Sequence, residues 1–519
     1  MPAVVTADEA IRRVPDNATV AVNPVPTEEV FPAFRRAFES TGRPNNLTIL
    51  FTAGLGPFSA DVKGMNHFAV PGMVSRIIAG HIGVNHLLVK MVAEDAVECY
   101  NFPQGTLAQL YREIAAKRPG LVTTVGLETF VDPRIDGGKT NRRTKAANDL
   151  VQLVQLNGEE YLFYKSIPLN VGIVRGTTAD PQGNITCENE PLLMDAFELA
   201  LAVKNCGGTV IVQVEQLSAS AANPHMVRIP GMLVDYIVVA PSRKVHPHSL
   251  FVEFDPSFTG ETTVPLSSVV QPMSLTIEKV ICSRAARELA AGMTVNLGVG
   301  IPQGVSAVAF EEGILEDITL NTEFGVIGGQ PDTGKNFGPA RNPRAFVSQP
   351  AMFDFYDGGG LDVTCVGLAQ VDREGNVNVS RLGNKVIGCG GFIDLTQNAK
   401  QCIFCGEFRA GGLKASVGDG KLTIESEGKA AKFVQKVDQI TYSGNRARRL
   451  KQDAMFVTER CVFHLVPEGL LLSEIAPGID LQRDILDQME FRPIVPDDIP
   501  LMDVALFRDR TLLSSGWTH

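Results

Sequence analysis

No apolar window of the chain reaches the 18 or so residues that a membrane span requires, so a bilayer-crossing helix is not expected. Clustered basic charge is missing as well. The 519 residues carry 47 Lys and Arg against 58 Asp and Glu, a formal net charge of -11, whereas binding to nucleic-acid phosphates needs a concentrated positive surface. The densest basic stretch, residues 446–451, is short and reads as a solvated face. Cysteine is thinly spread: nine residues, an odd number with no dense spacing, fit reduced thiols rather than a disulfide framework. The single CxxC, Cys402 with Cys405, lies in a run that reads as a buried strand, and no second pair completes a zinc site. His246 and His248, like His81 and His86, have no acidic or cysteine set close by in sequence, so no metal site is expected. Neither GxSxG nor a Walker phosphate loop occurs. The N-terminal stretch carries Asp8 and Glu9 where a signal peptide needs basic residues, and a soluble, cytoplasmic protein is expected.

What is present is an ordinary globular composition, 44% hydrophobic and 20% charged, at a length beyond what one core supports. Short β-branched runs alternate with helical patterns such as residues 194–203, the signature of βαβ units and mostly parallel sheets. The chain also repeats itself. Asp180 precedes Gly183-Asn-Ile-Thr186 as Asp372 precedes Gly375-Asn-Val-Asn378, an offset of 192 (372 − 180). The same offset carries the run from Thr209 to Glu215 onto the run from Gln401 to Glu407. Further upstream, Leu47-Thr-Ile-Leu-Phe-Thr52 matches Ile318-Thr-Leu-Asn-Thr-Glu323 at an offset of 271, with Thr52 opposite Glu323. The drop from 271 to 192 implies about 79 extra residues in the first half. The expected architecture is therefore two related open α/β domains with the active site between them. The first spans 1–255 with an insertion at about 57–165, and the second 276–519. Residues 256–275, aperiodic and rich in Pro, Ser and Thr, form the linker.

Glu323 closes an apolar, strand-like run and is followed at once by Phe324-Gly-Val-Ile-Gly-Gly329. In open α/β sheets ligands bind beyond the carboxyl ends of strands, where glycines let backbone approach them. A carboxylate there can be a nucleophile, a base or a ribose clamp. Two glycine clusters offer backbone N–H groups to an anion: Asn296-Leu-Gly298-Val-Gly300-Ile-Pro302, at a strand-to-helix turn, and Gly388-Cys-Gly390-Gly391-Phe-Ile-Asp394, whose consecutive amides suit an oxyanion hole. The three glycines at 358–360 imply backbone conformations that side chains forbid. With no legible Ser/His/Asp or Cys/His arrangement, a carboxylate is the most plausible nucleophile.

Taken together, Thr322-Glu323-Phe-Gly-Val-Ile-Gly-Gly329, Asn336-Phe-Gly338, the run from Gln349 to Asp362, Gly375-Asn-Val-Asn-Val-Ser380 and the loop from Gly388 to Asp394 resemble family I coenzyme A transferases. Pro103-Gln104-Gly105-Thr106-Leu107 and the run from Asn296 to Pro302 fit the same family, and the likeness spans nearly the whole chain. It is similar to the fused-chain acetate and propionate CoA-transferases in particular. The resemblance implies transfer of CoA between short-chain acyl-CoA and free carboxylates, with Glu323 as the nucleophile of a ping-pong reaction through a glutamyl-CoA thioester. It implies that Gln104, Gly390 and Gly391 stabilise the oxyanion and that Asn296, Gly298, Gly300 and Gly388 contact CoA. It further implies no permanently bound cofactor, acyl-CoA and small carboxylates as the partners, and a homo-oligomer, a tetramer. Hydrolysis of acyl-CoA by the same glutamate is the alternative. Phe324, where a small residue is expected after the nucleophile, leaves the acyl group open.

Overall fold

Parallel strands covered on both faces need apolar residues at successive positions, and the β-branched runs of this chain meet that need. The computed structural model describes residues 1–509. It divides into two compact units, and chain order and compactness divide the molecule differently. The first unit comprises Met1–Val264, Asn321–Gly358 and Ser380–Asp394; the second comprises Pro265–Leu320, Gly359–Val379 and the described residues from Leu395 on. Two segments of the C-terminal half thus belong to the first unit.

The first unit is built on eight parallel strands: β1 (Ala3–Val4), β2 (Thr19–Val22), β3 (Leu47–Ala53), β4 (Val74–His81), β5 (Glu98–Asn101), β6 (Val171–Ala179), β7 (Thr209–Leu217) and β8 (Tyr236–Val239). They lie in the order β1-β8-β7-β6-β2-β3-β4-β5. Successive side chains point to opposite faces, and two cores result. Leu50, Ile78, Val174 and Val212 pack on one side with Leu107 and Leu199. Their neighbours Ile49, Ile77, Ile173 and Ile211 pack on the other with Phe31, Phe34 and Leu88. Each such side chain taken from water contributes roughly 1.5–3 kcal/mol. The two helices that matter most for the site are α1 (Gln104–Ala115) and α2 (Ala196–Asn205); α2 begins two residues later than the periodicity places it.

In the second unit the sheet comprises β9 (Thr294–Leu297), the first half of β10 (Thr319–Thr322), β11 (Val363–Gly367), β12 (Gln401–Cys405), β13 (Asp453–Val457), β14 (Cys461–Val466) and β15 (Gly469–Ile475). Its order is β10-β9-β11-β12-β13-β14-β15, with β9, β11, β12 and β13 parallel and the last two strands antiparallel. The order β3-β2-β6-β7-β8 of the first unit recurs here as β10-β9-β11-β12-β13. Strand starts are 124 residues apart from β3 to β6 (171 − 47) and 44 from β10 to β11 (363 − 319), a difference of 80. The extra segment supplies β4, β5, α1 and a small antiparallel sheet of Gly120–Thr123, Glu159–Lys165 and Val151–Leu156.

Cys402 and Cys405 lie buried in β12, as the strand reading requires. The glycines at 358–360 behave otherwise than expected: Gly359 alone is left-handed, at φ 83°, while Gly358 caps the helix α3 (Gln349–Asp357) at φ -77°. His246 has a partner that its sequence neighbourhood lacks. Its Nε2 stands 3.0 Å from Glu190, which also accepts from Arg175 at 2.6 Å; burial, then Arg175, holds the imidazole below its ordinary pKa. No helix among the described residues is long and apolar enough to cross a membrane.

Candidate active site

β10 ends at Thr322, and Glu323 is the next residue. The turn behind it needs glycine, with Gly325, Gly328 and Gly329 at φ 94°, 73° and 75°. The Glu323 backbone is held by Gln349, whose Nε2 donates to the Glu323 carbonyl at 3.3 Å, while the Gln349 N–H donates to Met194 O at 2.8 Å. Its carboxyl is partly buried, no cation among the described residues acts on it, and burial raises its pKa from 4.5 to about 7. A carboxylate so placed is more basic than one in water and is ionised in a useful fraction at neutral pH.

Within the same unit, α1 begins at Gln104, directly after Pro103, and Gln104 is 1% exposed. Its side-chain Nε2 is buried without a hydrogen-bond partner among the described residues. An orphaned amide donor of this kind costs about 1–3 kcal/mol, a cost expected where a ligand completes the bond. The loop from Gly388 to Asp394 lies against it. The Gln104 N–H donates to Gly390 O at 2.9 Å, and a β-carbon placed on Gly390 would stand 3.7 Å from Gln104 Oε1. One placed on Gly391 would stand 3.6 Å from Glu323 Cβ. Gln104, Glu323, Gly390 and Gly391 are therefore neighbours.

The loop differs from a row of unencumbered amides. The Gly388 N–H donates to Ser380 O (3.1 Å), Cys389 to Asn101 Oδ1 (3.0 Å) and Gly390 to Gly80 O (2.8 Å). The loop is stitched onto the carboxyl ends of β4 and β5, and that anchoring occupies the amides. His81, at the end of β4, is kept neutral by burial, its pKa lowered to about 4.

Sequence reasoning missed another buried carboxyl in this unit. Asp195 accepts from Thr52 Oγ1 at 2.9 Å and from Asn23 Nδ2 at 3.1 Å, and burial raises its pKa to about 7. Thr52, the counterpart of Glu323 in the repeat, thus serves as a hydrogen-bond donor to a carboxyl rather than carrying one. Phe324 does not stand open: it is 2% exposed and packs with Val25, Ala53, Leu192 and Met194. Asn296, Gly298 and Gly300 belong to the second unit, at the end of β9. Asn296 is buried, Gly298 N–H donates to Cys365 O at 2.7 Å, and Gly300, at φ 90°, has no atom within 4 Å of where a β-carbon would stand.

A poised carboxyl beside an unused amide donor, on a repeated α/β scaffold, is equipment for acyl-group chemistry. The sequence model of the family described as Coenzyme A transferase matches residues 4–240. The chain is 45% identical over 520 residues to the caffeate CoA-transferase of Acetobacterium woodii, covering 98% of each. It is 40% identical to the acetate CoA-transferase YdiF of Escherichia coli K12, over 98% of this chain and 96% of that one. The crystal structure of the acyl-CoA transferase YdiF from E. coli O157:H7, a thioester complex with CoA, superposes with a TM-score of 0.90 at 39% identity, covering 98% of this chain and 96% of that one. The chain belongs to the coenzyme A transferase family, and it is an enzyme of that class.

Proposed function

We propose that the protein transfers CoA reversibly from a short-chain acyl-CoA to a free carboxylate, by a ping-pong route through a thioester on Glu323. The observation that carries this reading is the pairing of a Glu323 carboxyl raised to about 7 with the unpartnered, buried Nε2 of Gln104. A Glu323 oxygen attacks the thioester carbonyl, and the negative charge develops on the carbonyl oxygen. Gln104 Nε2 and the Gly391 N–H receive that charge, within a loop whose geometry Gly390 sets through its own backbone bonds. The C–S bond breaks, and CoA leaves as the thiolate from an acyl-glutamyl anhydride. The thiolate then attacks the glutamyl carbonyl, expelling the first acid and leaving glutamyl-CoA. A second carboxylate reverses these steps and takes the CoA away. An anhydride is about as activated as a thioester, so the exchange runs without ATP, whereas a serine ester would be a sink.

Asn296, Gly298 and Gly300 are assigned to CoA, supported by the open backbone of the turn at Gly300 and by Val299, which is 47% exposed. Gly388 joins them by its place in the loop. Acetate, propionate and similar acids are the expected acceptors. The relatives are named for acetate and for caffeate, so an aromatic acid belongs in the same exchange panel. The nine unpaired cysteines suit a reducing compartment and support a cytoplasmic reading, and a homotetramer is the expected assembly.

The test is to incubate the protein with acetyl-CoA, trap with hydroxylamine or borohydride, and locate the modification by mass spectrometry. Modification at Glu323 and loss of exchange in Glu323→Ala are expected. An unmodified Glu323 together with full exchange by the Ala variant overturns the mechanism.

A further inference from the structure

The two proposed oxyanion donors come from segments far apart in the chain, Gln104 at the start of α1 and Gly391 in the loop that follows Ser380. Their separation in space is fixed by whatever ties the loop to the helix. We propose that Asp394 is a positioning residue for this site, clamping the amino end of α1 from the far end of the loop and so holding the two donors in register. The inference rests on the reading of Gln104 and Gly391 given above.

The first N–H groups of a helix have no partner within it, and α1 has no cap of its own because Pro103 precedes it without a side-chain acceptor. The loop supplies acceptors for the first two of them. Gly390 O takes the Gln104 N–H at 2.9 Å, and Asp394 Oδ2 takes the Gly105 N–H at 3.1 Å. Asp394 is 0% exposed, and its Oδ1 has no hydrogen-bond partner among the described residues. Position 105 is shaped around it: a β-carbon there would stand 2.5 Å from Asp394 Oδ1 and 2.5 Å from the Phe353 ring. Only glycine lets the carboxyl reach the helix end. Burial, and then the nearby Asp357, hold the Asp394 pKa well above the usual carboxylate range. An amide of the same shape keeps an acceptor oxygen where Oδ2 takes the Gly105 N–H, so asparagine serves in its place.

Steady-state exchange by wild type, Asp394→Ala, Asp394→Asn and Gln104→Ala separates the possibilities. Asp394→Ala is expected to lower kcat about 10- to 100-fold with KM for acyl-CoA nearly unchanged, as displaced donors do. Asp394→Asn should restore most of kcat, and the Gln104→Ala/Asp394→Ala pair should be no slower than Gln104→Ala alone. A purely structural residue would lower the melting temperature and leave the kcat of folded enzyme alone. Should Asp394→Ala fail to fold, Asp394→Ser is read against the same thresholds. A kcat within about threefold of wild type for the folded Ala or Ser variant, or an Asn variant as slow as either, overturns the inference. If Gln104→Ala itself keeps full kcat, the assignment of the donors fails, which is a distinct result.

Discussion

At neutral pH Glu323 stands near its own midpoint of ionisation, and two consequences follow from that single displacement. On the proposed mechanism the nucleophile is the ionised carboxylate, so kcat/KM for acyl-CoA should fall about tenfold per pH unit below about 7 and level off above it. A plateau extending down to pH 5 would mean that another group attacks. The second consequence concerns stability. The folded chain keeps the Glu323 proton up to about 7, whereas the unfolded chain releases it near 4.5. Stability is thus highest below 4.5, declines as pH rises through the interval to about 7, and stays lowered above it. Glu323→Gln removes the titration, and at pH 8 it should stabilise the protein by roughly 1–3 kcal/mol, discounted for the partial exposure of the group. Thermal melts at pH 5 and pH 8 check this: a gain of equal size at both pH values would show that burial of the charge is not its source. Glu323 could be proposed from the sequence because strand end and glycine turn are contiguous there. Gln349 and Asp394 acquired no role from the sequence because their partners, Glu323 and Gly105, are brought to them only by folding.

The element on which the proposed site depends is the amino end of α1, packed against the carboxyl ends of β3 and β4. Gly80 makes that approach possible. A β-carbon there would stand 2.2 Å from Thr52 O on the neighbouring strand and 3.2 Å from Gln104 Cα. Because the first obstacle is backbone, it cannot rotate away. Gly80→Ala should therefore destabilise the fold by about 1–3 kcal/mol and displace Gln104, lowering kcat about tenfold or more at temperatures where the variant is still folded. Urea melts and steady-state rates on one preparation measure both effects. A destabilised variant with wild-type kcat would separate the helix end from the chemistry. At this scale the sequence reading was right about the strand Thr294–Leu297 and the glycine turn that leads, through a short 3-10 turn at Ile301–Gln303, into the helix Gly304–Glu311, and it overstated the freedom of the loop at 388–391. Glycine content marks where backbone approaches something closely, but it does not say whether the amides face a substrate or another strand. Here Gly80 O, Ser380 O and Asn101 Oδ1 occupy three of them.

The repeat legible in the sequence as two offsets reappears as one strand order in both units, interrupted in the first by the segment that carries α1. The part sequence could not supply was which segments pack together. Residues 321–358 and 380–394 join the first unit, although in the chain they follow the start of the second. The strongest sign of common design is the pair of Asp-x-x-Gly-Asn turns, which share four bonds. Asp180 Oδ1 accepts from Gln182 and Asn184 N–H, both at 2.9 Å, and Asp372 Oδ1 accepts from Glu374 and Asn376 N–H at 3.0 and 3.1 Å. Each aspartate also takes its turn's Asn Nδ2 at 3.0 Å. Each Asn Oδ1 then accepts a distant glycine amide, Gly231 N–H at 2.9 Å and Gly444 N–H at 3.0 Å. Gly183 and Gly375 complete the turns at φ 79° and 78°. Removing either carboxylate strands two buried or half-buried amides and frees the Asn that anchors the glycine segment. Asp180→Ala and Asp372→Ala should each cost about 2–4 kcal/mol. Asp180 also accepts from Ala222 N–H at 3.0 Å, which places its loss at the upper end of that range. Chemical denaturation of the two variants, followed by a probe in each unit, decides the matter. Comparable losses, each confined to the unit that holds the altered turn, are the expected result. One large loss beside one near zero would mean that the turns share a sequence and a shape but not a role in holding their units together.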